Sequence, residues 1–422
     1  MNYFIKNIHV NKSFRLNGVD VPIANEDLEI AIANEKSPHL IITGKNGSGK
    51  TILLNAITDF IEKIKTDTSL YFLQYGEWVK NSESRLQDAK TDEDRAKAEI
   101  QLATNTKLYN DLFGKVNITF DNVANIINKY QKGDFVIATY TAYRKPEMKE
   151  PKNPTKPTYN KKGKAKETAT SQFLNFLSDL KIQEALARNE KQIAAADEIN
   201  LWFVSFEKLL QRIYQNDKLK IEFNYKDYSF RICTEGKKFK FTELSDGFSA
   251  ILDIVADLIL KMQDDNSLTR GYQKEGIVLI DEIETHLHLA LQKIIMPILT
   301  DIFPNIQFII TTHSPFVLSS MPNAVAYDLE HKKPIEDLTN YSYESLAEGY
   351  FGVRAESSDV RHRLNKIKEL LEKKELTPSE KESIKLYIKD FDNIPEAVSP
   401  SLIGEYLQLK LKHVDKIKEL IQ

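Results

Sequence analysis

The sequence predicts an α/β fold: a mixed or parallel sheet flanked by helices, with helical insertions and a helical C-terminal region. Three observations predict it. A short apolar stretch, residues 40–43, runs into Gly44-Lys45-Asn46-Gly47-Ser48-Gly49-Lys50-Thr51 and then into 52–64, where apolar residues recur at helical spacing. A second apolar run, 276–280, ends in Asp281-Glu282, and a third, 308–312, ends in His313. Continuously apolar strands belong in the middle of a parallel sheet covered on both faces.

The chain has 422 residues, of which 41% are hydrophobic and 28% charged. That length predicts two or three structural units with a sizeable core. A single cysteine, Cys233, excludes an internal disulfide framework and points to a reducing, cytoplasmic setting. No apolar run approaches the ~18 residues of a membrane span, and the opening residues lack the layout of a secretory signal. A net charge of −3 argues against a basic coat for nucleic acid, although local basic patches remain open.

In chain order, 1–75 read as strands and a helix that form the first part of an α/β head. Residues 76–114 are an inserted helical arm; within it, 78–113 are polar and highly charged, at helical spacing, without Gly or Pro. Residues 115–144 return to the head with strands at 116–120 and 135–140. A basic loop and helical insertion follow over 145–215. The loop, 145–167, holds eight lysines, four prolines and three glutamates. It reads as a flexible linker, or as a segment whose lysines attract nucleic-acid phosphates. Residues 171–213 read as helical. Residues 216–335 complete the head, opening with a hairpin at 220–225 and 228–232. Residues 336–422 form a helical region for partner or oligomer contacts. In it, Thr377-Pro378-Ser379-Glu380 is a capping box with proline at the first helical position.

Gly44 to Thr51 fits G-x-x-x-x-G-K-[ST] completely. Glycines let successive N–H groups converge on phosphate oxygens, and the following helix adds its N-terminal partial charge. Lys50 is expected to reach the terminal phosphates of a nucleotide and Thr51 to bind Mg2+. Acids at the C-terminal end of a strand lie where open α/β sheets bind ligands. Asp281 is therefore the second expected Mg2+ residue, acting through water, and Glu282 the general base for the attacking water. His313 is expected to contact the γ-phosphate and hold that water. Leu244-Ser245-Asp246-Gly247-Phe248-Ser249 precedes a helix over about 248–263, forming a second anion site by the same physics.

Taken in order, the phosphate loop, Leu-Ser-x-Gly, Asp-Glu strand and terminal histidine resemble the ABC-type ATPases. That resemblance implies ATP and Mg2+ as cofactors and at least a dimer, in which Ser245, Asp246 and Gly247 complete the ATP site of the opposite protomer. The segments 281–288 and 311–315 look like the non-transporter branch. That branch includes the ATPase domains of the "overcoming lysogenization defect" group and the ATPase subunits of Septu, PARIS and retron-associated defence systems. Residues 341–352 are similar to the Septu-like ATPases. The sequence departs from the pattern at Asp246, usually Gly, and at Phe248, usually Gln. No glutamine follows the strand at 135–140. Arg144 stands there as a candidate nucleotide or phosphate contact, and Phe14 and Arg15 are candidates for adenine. His286 and His288 suggest a metal pair or, in the family's terms, a protomer-contact loop.

The resemblance implies an ATP-hydrolysing sensor or switch subunit of a multi-protein bacterial anti-phage system. After His313 there is no acidic cluster of the topoisomerase-primase nuclease type and no His-Asn-His nuclease pattern, so the effector, a nuclease, is expected to be a separate protein. The alternatives are a DNA repair or recombination ATPase that touches nucleic acid through 145–167, and the nucleotide-binding subunit of a membrane transporter.

Overall fold

A computed structural model describes residues 3–11, 27–32, 38–144, 148–151, 170–263, 271–335, 345–346, 358–373, 375–394 and 400–421. Phe14 and Arg15, most of the basic loop and most of 341–352 lie outside the described residues. The chain divides into two compact units, Met1–Tyr341 and Ser342–Gln422.

The first unit runs β1 (Ile5–Val10), β2 (Leu28–Ala31), β3 (His39–Thr43), α1 (Lys50–Ile64), α2 (Tyr75–Asp88), α3 (Asp92–Phe113), β4 (Val116–Phe120), α4 (Val123–Lys132), β5 (Phe135–Tyr140), α5 (Phe173–Asn189), α6 (Ile193–Tyr214), β6 (Lys220–Asn224), β7 (Ser229–Thr234), β8 (Lys237–Lys240), α7 (Asp246–Lys261), β9 (Glu275–Ile280), α8 (Leu289–Ile302), β10 (Ile306–Thr311), α9 (Pro315–Leu318), β11 (Ala324–Asp328) and β12 (Lys333–Ile335).

Six strands form the central sheet in the order β12-β11-β3-β10-β9-β5. All neighbours are parallel except the β11–β12 pair. The three inner apolar strands are β3, β10 and β9, as the sequence predicts. The register sets Ile310 beside both Ile41 and Ile280, so the ends of these strands reach the same edge of the sheet together. That edge carries the glycine loop after β3, the acids after β9 and the histidine after β10.

Two smaller antiparallel sheets complete the unit, β2-β1-β4 and β6-β7-β8. Here the structure differs from the sequence reading. β4 joins β1 rather than the central sheet, because its alternating pattern buries only one face. β8 extends the expected hairpin to three strands. The helical stretch 171–213 breaks after Asn189 through Lys191, whose φ is +61°. Gln307, fully buried in β10, welds two sheets: its Oε1 accepts from the N–H groups of Phe4 and Ile5, while its Nε2 donates to the carbonyls of Ile5 and Pro38. Every polar atom of that buried amide is thereby paired.

Helices α2 and α3 form the inserted arm. Thr91 caps α3 by accepting from the N–H of Asp94. Asn105 reaches across to α2, donating to Ser82 Oγ at 2.8 Å. The second unit holds α10 (Ser358–Glu372), α11 (Pro378–Asp392), α12 (Pro400–Lys412) and α13 (Val414–Ile421), with its own core of Leu364, Ile367, Ile384, Phe391 and Leu402. Thr377 and Glu380 make the expected capping box at α11.

Candidate functional site

β3 delivers the chain into the glycine loop, and the loop's curvature comes from three residues with φ values of +135° at Gly44, +85° at Gly47 and +94° at Gly49. Only glycine takes such values without steric cost. Lys50, the first residue of α1, folds back over the loop. Its Nζ donates to the carbonyls of Gly44 at 2.8 Å and Lys45 at 2.9 Å. Burial pushes the Lys50 ammonium below its ordinary pKa, and the charges of Glu282, Glu284, Asp281 and Asp328 oppose that shift. The loop thus has a partly desolvated cation at its mouth, in an acidic surrounding. A turn after β11 packs on the same loop, where Glu330 pairs with Lys45 at 2.8 Å.

β9 leads directly into Asp281, which is buried. Two hydroxyls converge on its Oδ1: Thr51 from α1 at 3.2 Å and Thr311 from β10 at 2.6 Å. Thr311 Oγ1 also accepts from the N–H of Glu282 at 2.7 Å, so one side chain fixes both acids. Glu282 itself has a φ of +41°, a left-handed conformation that costs a non-glycine residue free energy. His313 Nε2 lies 3.6 Å from Glu282 Oε1. Glu284 holds the histidine's backbone, accepting from the N–H of His313 at 2.5 Å and the hydroxyl of Thr312 at 2.8 Å.

The structure thus gathers the glycine loop, Lys50, Thr51, Asp281, Glu282 and His313 at one edge of the sheet. Asp281 and Thr51 offer oxygen ligands of the kind Mg2+ prefers. A half-exposed carboxylate and an imidazole beside them can accept and hold protons.

Residues 40–319 match the family described as "AAA domain, putative AbiEii toxin, Type IV TA system". The chain belongs to this family. Its first unit places the AAA domain's glycine loop after β3, at one edge of a largely parallel sheet. It is 32% identical over 155 residues to Septu protein PtuA of Bacillus mycoides, covering 35% of this chain and 21% of that protein. It is 40% identical over 91 residues to the Retron Vc95 probable ATPase of Vibrio cholerae, covering 21% and 18%. The chain therefore spans about a fifth of the length of these relatives. An SMC head domain from Thermotoga maritima aligns with 77% of this chain and 94% of that one, at 12% identity and a TM-score of 0.33.

Elsewhere in this AAA domain, Ser245 stands at the N-cap of α7, exposed, and its side chain makes no capping hydrogen bond. Asp246 beside it is also exposed. Gly247 is buried, and a Cβ there would meet the carbonyl oxygen of His286 at 2.8 Å. Phe248 stacks flat on Tyr214 at 4.0 Å. His288 is the N-cap residue of α8, its ring edge-on to Phe248. Among the described residues, the one cluster of three metal-ligating side chains is Asp328, Glu330 and His331, which contains neither His286 nor His288.

Arg144 corrects an expectation. Its guanidinium donates to backbone carbonyls of the loop after β9 rather than standing free for a nucleotide. Sequence reasoning also passed over Thr311 and Glu284. Both lie inside segments singled out for their neighbours, and the signal available was a hydroxyl or carboxylate one or two residues from a candidate catalytic group.

Proposed function

We propose that this chain binds ATP with Mg2+ and hydrolyses it as the sensor or switch subunit of a multi-protein bacterial anti-phage defence system. The observation that carries the chemistry is the convergence of Thr51 and Thr311 on Asp281, with Glu282 and His313 alongside. The names of the relatives, a Septu protein and a retron ATPase, support the defence setting.

In this reading Gly44, Lys45, Asn46, Gly47, Ser48 and Gly49 wrap the phosphates with backbone N–H groups. Lys50 exchanges its loop carbonyls for phosphate oxygens, a charge-assisted and stronger bond. Thr51 and Asp281 would hold Mg2+, which when bound would supply positive charge against the charge developing on the transferred phosphoryl group. Glu282 accepts a proton from the attacking water, and His313 keeps that water and the γ-phosphate in line. Ser245, Asp246 and Gly247 at the head of α7 complete the site of a second copy, so ATP holds two heads together. Hydrolysis removes the phosphate both copies share, and the dimer loosens by the lost differential affinity. A separate effector, a nuclease, reads that change.

ATP turnover with and without Mg2+, together with a mass measurement in the presence of ATP, tests this reading. Turnover lost in Glu282→Gln and a doubled mass with ATP support it; a chain that neither binds nor hydrolyses ATP, even with the neighbouring gene product present, sinks it. A second reading, a DNA repair ATPase, draws on the eight lysines of 145–167. It requires ATP turnover stimulated by DNA and a salt slope that flattens when those lysines are neutralised. The transporter alternative would require a membrane-embedded partner, because among the described residues no helix is long and apolar enough to cross a membrane.

A further inference from the structure

We propose that Arg144 is a positioning residue for Glu282, its guanidinium moulding the turn of 281–285 that presents the carboxylate. The inference rests on the ATPase reading of this site. β5 pairs with β9 through Tyr140 beside Ile280, so the chain leaving β5 runs next to the chain carrying the acids. Four residues past Tyr140, the buried Arg144 turns inward. Its Nη1 donates to the carbonyl of Asp281 at 3.2 Å. Its Nη2 donates to the carbonyls of Glu282 at 3.1 Å, Ile283 at 3.1 Å and Thr285 at 3.4 Å.

These contacts fall where the backbone is least comfortable. Glu282 at φ +41° and His286 at φ +69° bracket the turn, and such conformations persist only where surrounding structure over-determines them. A planar fork with several donors suits a set of diverging carbonyls, and an ammonium does not reproduce it. Burying a cation is costly; burial pulls the Arg144 pKa down, and the carboxylates of Glu284, Asp253, Asp281 and Glu282 oppose that shift. Nε is also buried with no hydrogen-bond partner, so the guanidinium sits at the turn despite an unpaired donor. Glu284 grips the strand of His313 from the same turn. A turn released by loss of Arg144 would therefore let Glu282 and His313 drift apart without touching the glycine loop.

The test uses the full chain with Arg144→Met, Arg144→Lys and each combined with Glu282→Gln. For Arg144→Met, kcat should fall about 100-fold, the scale of a misplaced catalytic group, while KM and the affinity for a fluorescent ATP analogue stay within about threefold. Arg144→Lys should not rescue turnover, and neither change should lower the residual rate of Glu282→Gln. Without nucleotide, hydrogen exchange at amides 282–287 should accelerate in both variants, with α1 and β3 unchanged. Parental kcat, additive loss in the Glu282→Gln background or unchanged exchange in that turn would overturn the proposal. Should Arg144→Met fail to fold, Arg144→Lys decides by the same readouts. The exchange measurement needs no turnover, so a wild-type chain without ATPase activity would sink the enzymatic reading and leave this one separately decided.

Discussion

Two helices of the head, α1 and α7, start from glycine-containing turns, and they are built for different reasons. At α1 the glycines are conformational. Gly47 and Gly49 take φ values of +85° and +94°, and around Gly47 there is open space for a Cβ, so the dihedral alone demands glycine. At α7 the glycine is steric: Gly247 keeps an ordinary φ, and a Cβ would collide with the backbone of His286. The polar side chains differ as well. Lys50 and Thr51 are engaged within their own chain. Ser245 is exposed and does not cap its helix. One turn is engaged within its own chain, while the other leaves the hydroxyl of its N-cap serine exposed and uncapped.

The largest expected effect tests the engaged side. Glu282→Gln removes the proposed base and keeps the shape, so turnover should fall on the order of 10³-fold with ATP still bound and the ATP-linked dimer trapped. Hydrolysis at the parental rate would show that another group takes the proton. Next, Lys50→Ala deletes a charged donor from the loop, and ATP affinity should weaken about 100-fold, the scale of one or two charge-assisted hydrogen bonds. Titration with a fluorescent ATP analogue measures it. If affinity holds while dimerisation is lost, the contrast between the two turns is misdrawn.

How far the sequence reaches follows the same line. Strand–loop–helix at 40–64, the acid strand and the histidine strand are local patterns, and the structure has them as read. The alternation in Val116-Asn117-Ile118-Thr119-Phe120 also separated β4 from the continuously apolar β5, a distinction in the residues that went unused. The contacts that tune the site are another matter. Arg144 meets Asp281 across 137 residues of chain and Thr51 meets it across 230, and no spacing rule in one sequence reveals such pairs. Thr311 was hidden differently: a threonine at the end of a β-rich strand looks like ordinary strand composition until Asp281 is seen against it.

The steric glycine gives the third prediction. Gly247→Ala forces the head of α7 away from His286, and overpacking of this kind costs about 2 kcal/mol. A urea midpoint measures the loss of stability. By contrast, Gly47→Ala meets no neighbour and should act through backbone strain in the loop, weakening ATP binding more than it lowers the midpoint. Equal midpoint losses in the two variants would erase the distinction between conformational and steric glycines.

The smallest effect lies beneath the engaged turn. His39 opens β3, buried, with Nδ1 accepting from the N–H of Phe308 at 3.1 Å and Nε2 without a partner. That acceptor role requires a neutral ring with its proton on Nε2. Burial pushes the histidine down to about 4, from an ordinary value of 6.5. As pH falls below 6.5 the unfolded chain takes up a proton that the native chain refuses, so native stability drops until about pH 4 and is level below it. Between pH 7.5 and 5.5 this one residue should cost about 1 kcal/mol. In His39→Asn the amide oxygen can accept the same N–H without titrating, so that variant should lose less stability over this interval, read from urea midpoints at the two pH values. Equal losses in the two proteins would assign the acid sensitivity to groups other than the strand that feeds the phosphate loop.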